Sequence, residues 1–190
     1  MSDQVIRRVG SRDVYANRWM TVREDDVVFP NGARGIYGVV EKPDFVAILP
    51  IGDDGRVHLV QQYRYPVSAR YWELPQGSWE GAPDADPIEV ARGELREETG
   101  LVAAKLELIG RIYVAYGYSS QAFRLFVATD LTEGPPAREP TESDMISRAF
   151  DLTEIKRMTS SGDIVDACTI AAFGRLALAD RFRTYFPTPE

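Results

Sequence analysis

Two residue types that carry much enzyme chemistry are nearly missing from this chain. Its 190 residues include one cysteine, Cys168, and one histidine, His58. A single cysteine excludes an internal disulfide and suits a reducing compartment. A single histidine leaves little from which to build a histidine–cysteine pair or a histidine zinc cluster. His58 stands in Arg56-Val57-His58-Leu59-Val60, which alternates like a strand, so its expected role is structural. No apolar run is long enough to span a bilayer, and no signal-peptide pattern is present. The expectation is a cytoplasmic protein with no membrane partner. Positive charge is also scarce. With 22 Lys and Arg against 29 Asp and Glu, the net charge is −7. That disfavours a nucleic-acid backbone as the main partner, although an acidic chain still binds phosphates where metal ions supply the positive charge.

What is present is an apolar content of 44%, enough for one sizeable globular domain with a small appendage. The chain is organised around Glu94-Leu95-Arg96-Glu97-Glu98-Thr99-Gly100-Leu101. Three carboxylates stand at i, i+3 and i+4. On a helix Glu94 and Glu98 fall one turn apart on the same side, with Glu97 beside them. Like charges at that spacing cost a few tenths of a kcal/mol each in an isolated helix. A hard divalent cation reverses that cost, because carboxylate oxygens suit Mg²⁺ or Mn²⁺. Glu-rich helix faces are also common as plain solvated surface. The lead-in weighs against that here. Glu73-Leu74-Pro75-Gln76-Gly77 reads as a strand end breaking into a turn. Asp86 is a good N-cap and Pro87 a good first helical residue. Ile88, Ala91 and Leu95 form an apolar stripe beside the carboxylates, and Gly100 stands where a helix stops.

Residues 77–101 resemble the Nudix box, the loop-helix-loop signature written GX5EX7REUXEEXGU. Glu94, Leu95, Glu97, Glu98, Gly100 and Leu101 match its second half. Two positions depart from it. Gly93 replaces the arginine before the first glutamate, with Arg92 one place earlier. The stretch from Gly77 to the helix is two residues longer, so that Asp84 or Asp86 only approximates the mid-loop glutamate. In the family that arginine orients a metal-binding glutamate. The resemblance implies an α+β fold, a Nudix-type α/β/α sandwich with a mixed sheet, plus a small N-terminal antiparallel sheet. It implies Mg²⁺ or Mn²⁺ held by Glu94, Glu97, Glu98 and the backbone carbonyl of Gln76. It implies hydrolysis of a nucleoside diphosphate linked to X, with ADP-ribose or a related nucleotide sugar as the leading substrate. The general base comes, by the ADP-ribose-type subgroup, from a late loop, where Glu142 is best placed with Glu139 behind it. Other members take it from the box, which makes Glu97 the rival.

Arg64, in the Gln61-Gln62-Tyr63-Arg64 segment, is suited to gripping a phosphate bidentately or to pairing with Glu73. Trp19 and Tyr116 are suited to stacking on a base or to ordinary packing. Members that act on ADP-ribose often carry a proline about sixteen residues past the box, where this chain has Tyr116-Gly117-Tyr118. Dinucleoside polyphosphate hydrolysis therefore stays open, as does a nucleotide-binding module that has lost catalysis.

Along the chain, residues 12–15, 20–28 and 33–40 read as strands, with a hairpin turn at Phe29-Pro30-Asn31-Gly32. They are short and poor in core residues, so they need another surface to cover them. The resemblance implies that this segment, residues 1–43, serves dimerisation ahead of a catalytic domain at 44–190. A homodimer follows as the expectation, with Trp19 lent to the partner's site. Residues 45–50 are an apolar run expected of a strand buried on both faces. Residues 57–63, 106–114 and 122–129 read as further strands, 132–144 as a long loop, and 147–151 as a short strand or strand end. Residues 152–159 and 163–182 read as helices.

Overall fold

The computed structural model describes residues 5–79, 82, 84–135 and 144–186. The chain divides into two compact units. One comprises residues 1–44 together with 113–123, the other 45–112 together with 124–190.

The N-terminal unit is built on an antiparallel three-stranded sheet of β1 (Arg7–Ala16), β2 (Thr21–Val28) and β3 (Arg34–Glu41), in that order. β2 and β3 run in unbroken register from Thr21–Glu41 to Val28–Arg34, around the expected turn after Phe29. β1 extends five residues earlier than residue 12, held by its pairing with β2 despite two register shifts. Val27 is the buried apolar side chain in this sheet, whereas Val9, Val14, Ile36 and Tyr37 are exposed. A parallel bridge between Val40 and Ser119 joins the 113–123 segment to the end of β3. Ser119 Oγ donates to the Val40 carbonyl at 2.7 Å.

The larger unit carries two sheets. The four-stranded one has the order β7 (Gln76–Gly77), β4 (Phe45–Pro50), β9 (Ala122–Glu133), β8 (Leu101–Tyr113). The three-stranded one has the order β10 (Ile146–Phe150), β5 (Val57–Arg64), β6 (Ala69–Glu73). β4 shows why an unbroken apolar run was needed, since Val46 to Pro50 are all buried. Successive side chains point to opposite faces of a strand, so both faces of β4 are covered. On one face Val46 and Ile48 join Leu101, Ala103, Phe126 and Ala128 and receive Val90, Ala91 and Leu95 of helix α1 (Pro87–Thr99). Each of the larger side chains, such as Ile48 and Leu95, contributes roughly 1.5–3 kcal/mol on full burial. The α+β class and the mixed sheet are as expected.

The C-terminal segment departs from the expected single helix over 163–182. Helix α2 (Leu152–Ser161) is followed by α3 (Ala167–Leu178) and a single turn α4 (Phe182–Tyr185). The start is set by Asp166, whose carboxylate accepts from the backbone and hydroxyl of Thr169, both at 2.7 Å. Residues 163–165 therefore lie outside the helix. Strands β8 and β9 are also longer than the apolar pattern indicated, beginning at Leu101 and ending at Glu133.

Candidate active site

Helix α1 begins as its sequence dictates. The Asp86 side chain accepts from the Ile88 backbone N–H, Pro87 opens the helix, and Gly100 closes it at φ 80°. Because the apolar stripe and the carboxylates share a side, burying the stripe carries two glutamates inward. Glu94 is 8% exposed and Glu98 1%. Glu97, one position before Glu98, is half-buried.

The backbone they meet is the turn after β6. Pro75 accepts from the Ile48 N–H at 2.9 Å, and β7 pairs antiparallel with β4 through Gln76–Ala47 and Gly77–Val46. The Gln76 N–H donates to Glu98 Oε2 at 3.1 Å. At Gly77 the Glu94 carboxylate stands so close that an added Cβ would be 2.6 Å from Oε1. A side chain at position 77 would push the Glu94 carboxylate away from this backbone. Gln76, Glu94 and Glu98 are thus brought together.

Arg64 takes the ion pair that its sequence left open. Its Nε and Nη2 donate to Glu73 at 3.1 and 2.5 Å, and Gln62 Nε2 donates to the same carboxylate at 2.9 Å. Glu73 is 3% exposed, whereas 40% of the Arg64 side chain remains accessible. Burial pushes the Glu73 carboxyl above its ordinary range, against the pull of Arg64. Burial is the largest single influence on the Arg64 guanidinium and works against its charge, but the field and hydrogen bonds of Glu73, with Glu98 and Asp166, together outweigh it and raise the guanidinium. Cys168 lies in the same field. Burial, then Asp166 and Glu73, push its thiol up to about 12, which leaves it inert as a nucleophile.

Three further residues support this site, and the sequence reading missed all three. Gln62 completes the Glu73 cradle. Thr169 Oγ1 accepts from the Leu74 N–H at 2.9 Å, tying α3 to the strand end that leads into Gln76. Trp79 packs on α1 beside Gly93. An Asp-x-x-Thr helix start was the available signal for Thr169. Arg92, one place before the glycine, donates to the Ala103 carbonyl at 3.0 Å and pairs with Glu89 at 3.5 Å.

Trp19 and Tyr116 both lie in the N-terminal unit, 49% and 85% exposed, so neither is core packing. The Arg18 guanidinium lies 4.1 Å from the Trp19 ring centroid. Asn17, Trp19, Lys42 and Pro43 help line a cavity of about 280 Å³. Glu139 and Glu142 lie outside the described residues.

Among the described residues no three His, Cys, Asp or Glu side chains gather on one point. The donor chemistry nonetheless fits a hard divalent cation. Two carboxylates are buried a turn apart against the Gln76–Gly77 backbone, and oxygen donors of this kind suit Mg²⁺ or Mn²⁺. His58 is half-buried on β5, with its pKa lowered mainly by burial.

Residues 41–172 match the NUDIX domain, and residues 6–40 match the nucleoside diphosphate sugar hydrolase N-terminal domain. The chain is 33% identical over 172 residues to the ADP-ribose pyrophosphatase of Mycobacterium tuberculosis, covering 90% of this chain and 83% of that protein. It is 27% identical over 175 residues to the ADP-ribose pyrophosphatase of Bacillus subtilis, covering 92% and 94%. A solved structure described as an ADP compounds hydrolase superposes with a TM-score of 0.81 at 24% identity, over 95% of this chain and 99% of that one, a likeness of fold. With a domain match over most of its length and a relative one-third identical along nearly all of it, this chain belongs to the Nudix family.

Proposed function

We propose that this Nudix pyrophosphohydrolase splits the phosphoanhydride of ADP-ribose or a related nucleotide sugar, releasing a nucleoside monophosphate and a sugar phosphate. The observation that carries the reading is the meeting of Gln76 and Gly77 with the buried Glu94 and Glu98, in a chain whose residues 6–40 match a nucleoside diphosphate sugar hydrolase N-terminal domain. The similarity to two ADP-ribose pyrophosphatases supports the same substrate class.

Glu94, Glu97, Glu98 and the Gln76 carbonyl would hold Mg²⁺ or Mn²⁺. When bound, the ion neutralises phosphate charge and lowers the pKa of a coordinated water. The protein's own groups do the rest. Glu142, with Glu97 as the alternative, takes the proton from the attacking water at its carboxylate. The Arg64 side chain, 40% accessible, is suited to charge-assisted hydrogen bonds to a phosphate, while Glu73, itself held by Gln62, keeps it oriented. Trp19 and Tyr116 offer faces for a base, and the exposed N-terminal sheet suits a homodimer in which one protomer lends Trp19 to its partner's site.

The test is a nucleotide panel with Mg²⁺ or Mn²⁺, read by monophosphate release. Release of AMP from ADP-ribose ahead of diadenosine polyphosphates is expected. Silence across the panel with both metals overturns the reading, and faster cleavage of the dinucleotides moves the substrate to that class.

A further inference from the structure

Helix α1 has an interior position that its own stability does not explain. Gly93 falls mid-helix, where glycine is the poorest ordinary helix former. Its place is accounted for by Trp79. A Cβ on Gly93 would stand 3.0 Å from Trp79 Cε2, 3.2 Å from Nε1, and closer still to Cζ2. The indole therefore sits in a notch that only a missing side chain can make. The side chain, partly buried, also packs against the cluster formed by α1, β4, β8 and β9.

This contact is the last of three that run in sequence. Gln76 meets Glu98, Gly77 meets Glu94, and Trp79 meets Gly93. The chain leaving β7 travels along α1 antiparallel to it, and the last two contacts interlock. At the first of these a helix carboxylate fills a notch in the strand. At the second a side chain of the leaving chain fills a notch in the helix. Beyond Trp79 the chain turns, with Ala82 N–H donating to the Trp79 carbonyl and Ala85 N–H to the Ala82 carbonyl, both at 3.0 Å, before Asp86 caps the helix.

The geometry points to Trp79 as a positioning residue for the α1 carboxylates: seated on Gly93, it fixes how far β7 slides along the helix, and so where Glu94 and Glu98 stand relative to the Gln76–Gly77 backbone. This rests on the proposal that those carboxylates take a divalent cation. Glu94 adjoins Gly93 in sequence, so a displaced indole shifts Gly77 off Glu94 before it disturbs any more distant contact.

The test reads metal binding without nucleotide, by titrating Mn²⁺ and following the free-ion signal in electron paramagnetic resonance. Trp79→Ala and Gly93→Ala are each expected to weaken Mn²⁺ binding at least fivefold. Trp79→Phe, which keeps a flat ring over Gly93, should stay within twofold of the parent. A double-variant comparison isolates the contact: Gly93→Ala should lower the melting temperature of the parent but raise that of Trp79→Ala, where the notch is empty and alanine favours the helix. A purely structural role lowers melting temperatures and leaves the Mn²⁺ affinity of the folded protein unchanged, and that result overturns the proposal. A parent protein that binds no Mn²⁺ overturns it as well. A wrong substrate is told apart, since the titration contains none. Should Trp79→Ala fail to fold, Gly93→Ala and Trp79→Phe carry the comparison by themselves.

Discussion

The two units of this chain keep their apolar residues in opposite places. In the larger unit both faces of β4 are buried, and α1 closes one of them with Val90, Ala91 and Leu95. In the N-terminal unit β1 to β3 expose Val9, Val14, Ile36 and Tyr37 and bury Val27. The polar residues invert in the same sense. The larger unit has Glu73, Glu94 and Glu98 inside, where charge is costly unless a partner or a cation meets it. The N-terminal sheet buries Asp25 alone among its charges and carries apolar surface outward. One unit holds an apolar core within itself and buries carboxylates beside it. The other turns its apolar side chains outward.

The strongest way to break that contrast is to neutralise a buried carboxylate. Glu98→Gln is expected to lower turnover at least a hundredfold, with Glu94→Gln close behind, while circular dichroism and melting stay near the parent. The amide has the same shape and removes a like-charge repulsion. Near-normal activity at saturating Mg²⁺ would show that the carboxylates are assigned wrongly.

Arg64→Ala comes next, as a test of stability. Stripping a fully buried carboxylate of its partner costs about 3–5 kcal/mol, and Arg64 is partly exposed, so about 1–3 kcal/mol is expected here. The sign with pH is fixed by Glu73. Its folded pKa is raised above the ordinary 4.5, so its contribution to folding is fully present below that value and is lost as pH rises through the folded one. Arg64→Ala raises that pKa further. Its deficit in denaturant midpoint should be small near pH 4.5 and widen above it. A deficit independent of pH would mean that Arg64 acts through packing rather than through the pair.

Local signals in the sequence carried well. Asp86, Pro87 and Gly100 mark the ends of α1 within the chain itself, and Phe45–Pro50 declares a strand covered on both faces. Helical spacing places Glu94 and Glu98 on one side, and the lead-in with its apolar stripe turns that side inward, where both are buried. What was not legible was set by partners distant in sequence. Residues 101–105 include two alanines and a lysine and look unlike a strand, but β9 pairs with them. Asp166 moves the start of α3 through a hydrogen bond that a broad apolar pattern cannot display. Gly93 read as a loss of the expected arginine. Its meaning lies with Trp79, fourteen positions earlier, and only the packing reveals it. Thr169 reaches Leu74 across 95 positions for the same reason.

The exposed apolar surface of β1 to β3 gives a third test. In light scattering at micromolar concentration the full chain should have a dimer mass. Deleting residues 1–40 should leave a monomer with weakened affinity for substrate. Ile36→Lys, at a side chain 65% exposed, should weaken association with little loss of fold. A monomer mass for the full chain ends the dimer proposal, and a truncated protein that stays dimeric puts the interface elsewhere.

The smallest effect is expected where the N-terminal sheet does bury charge. Asp25 accepts from Ser11 Oγ at 2.5 Å and from Arg23 Nε at 3.1 Å, across β1 and β2. The Ser11 hydrogen bond is the largest influence holding the Asp25 carboxyl below its ordinary 3.8; burial opposes it, and Arg23 adds to it. A depressed carboxyl stabilises the fold above its unfolded pKa, and that contribution disappears as pH falls through the folded value. Ser11→Ala should therefore speed hydrogen exchange at the β1 and β2 amides by a modest factor at neutral pH. The difference from the parent should begin to narrow below the ordinary 3.8 and close only once pH has fallen through the depressed folded value, where Asp25 is protonated with or without the hydroxyl. Arg23→Ala should act in the same direction and also release Glu41, its second partner. If Ser11→Ala changes exchange equally at pH 7 and below pH 3, the hydroxyl contributes through packing in the strand pair. The N-terminal sheet then owes nothing to its one buried charge, which sharpens the contrast with the larger unit.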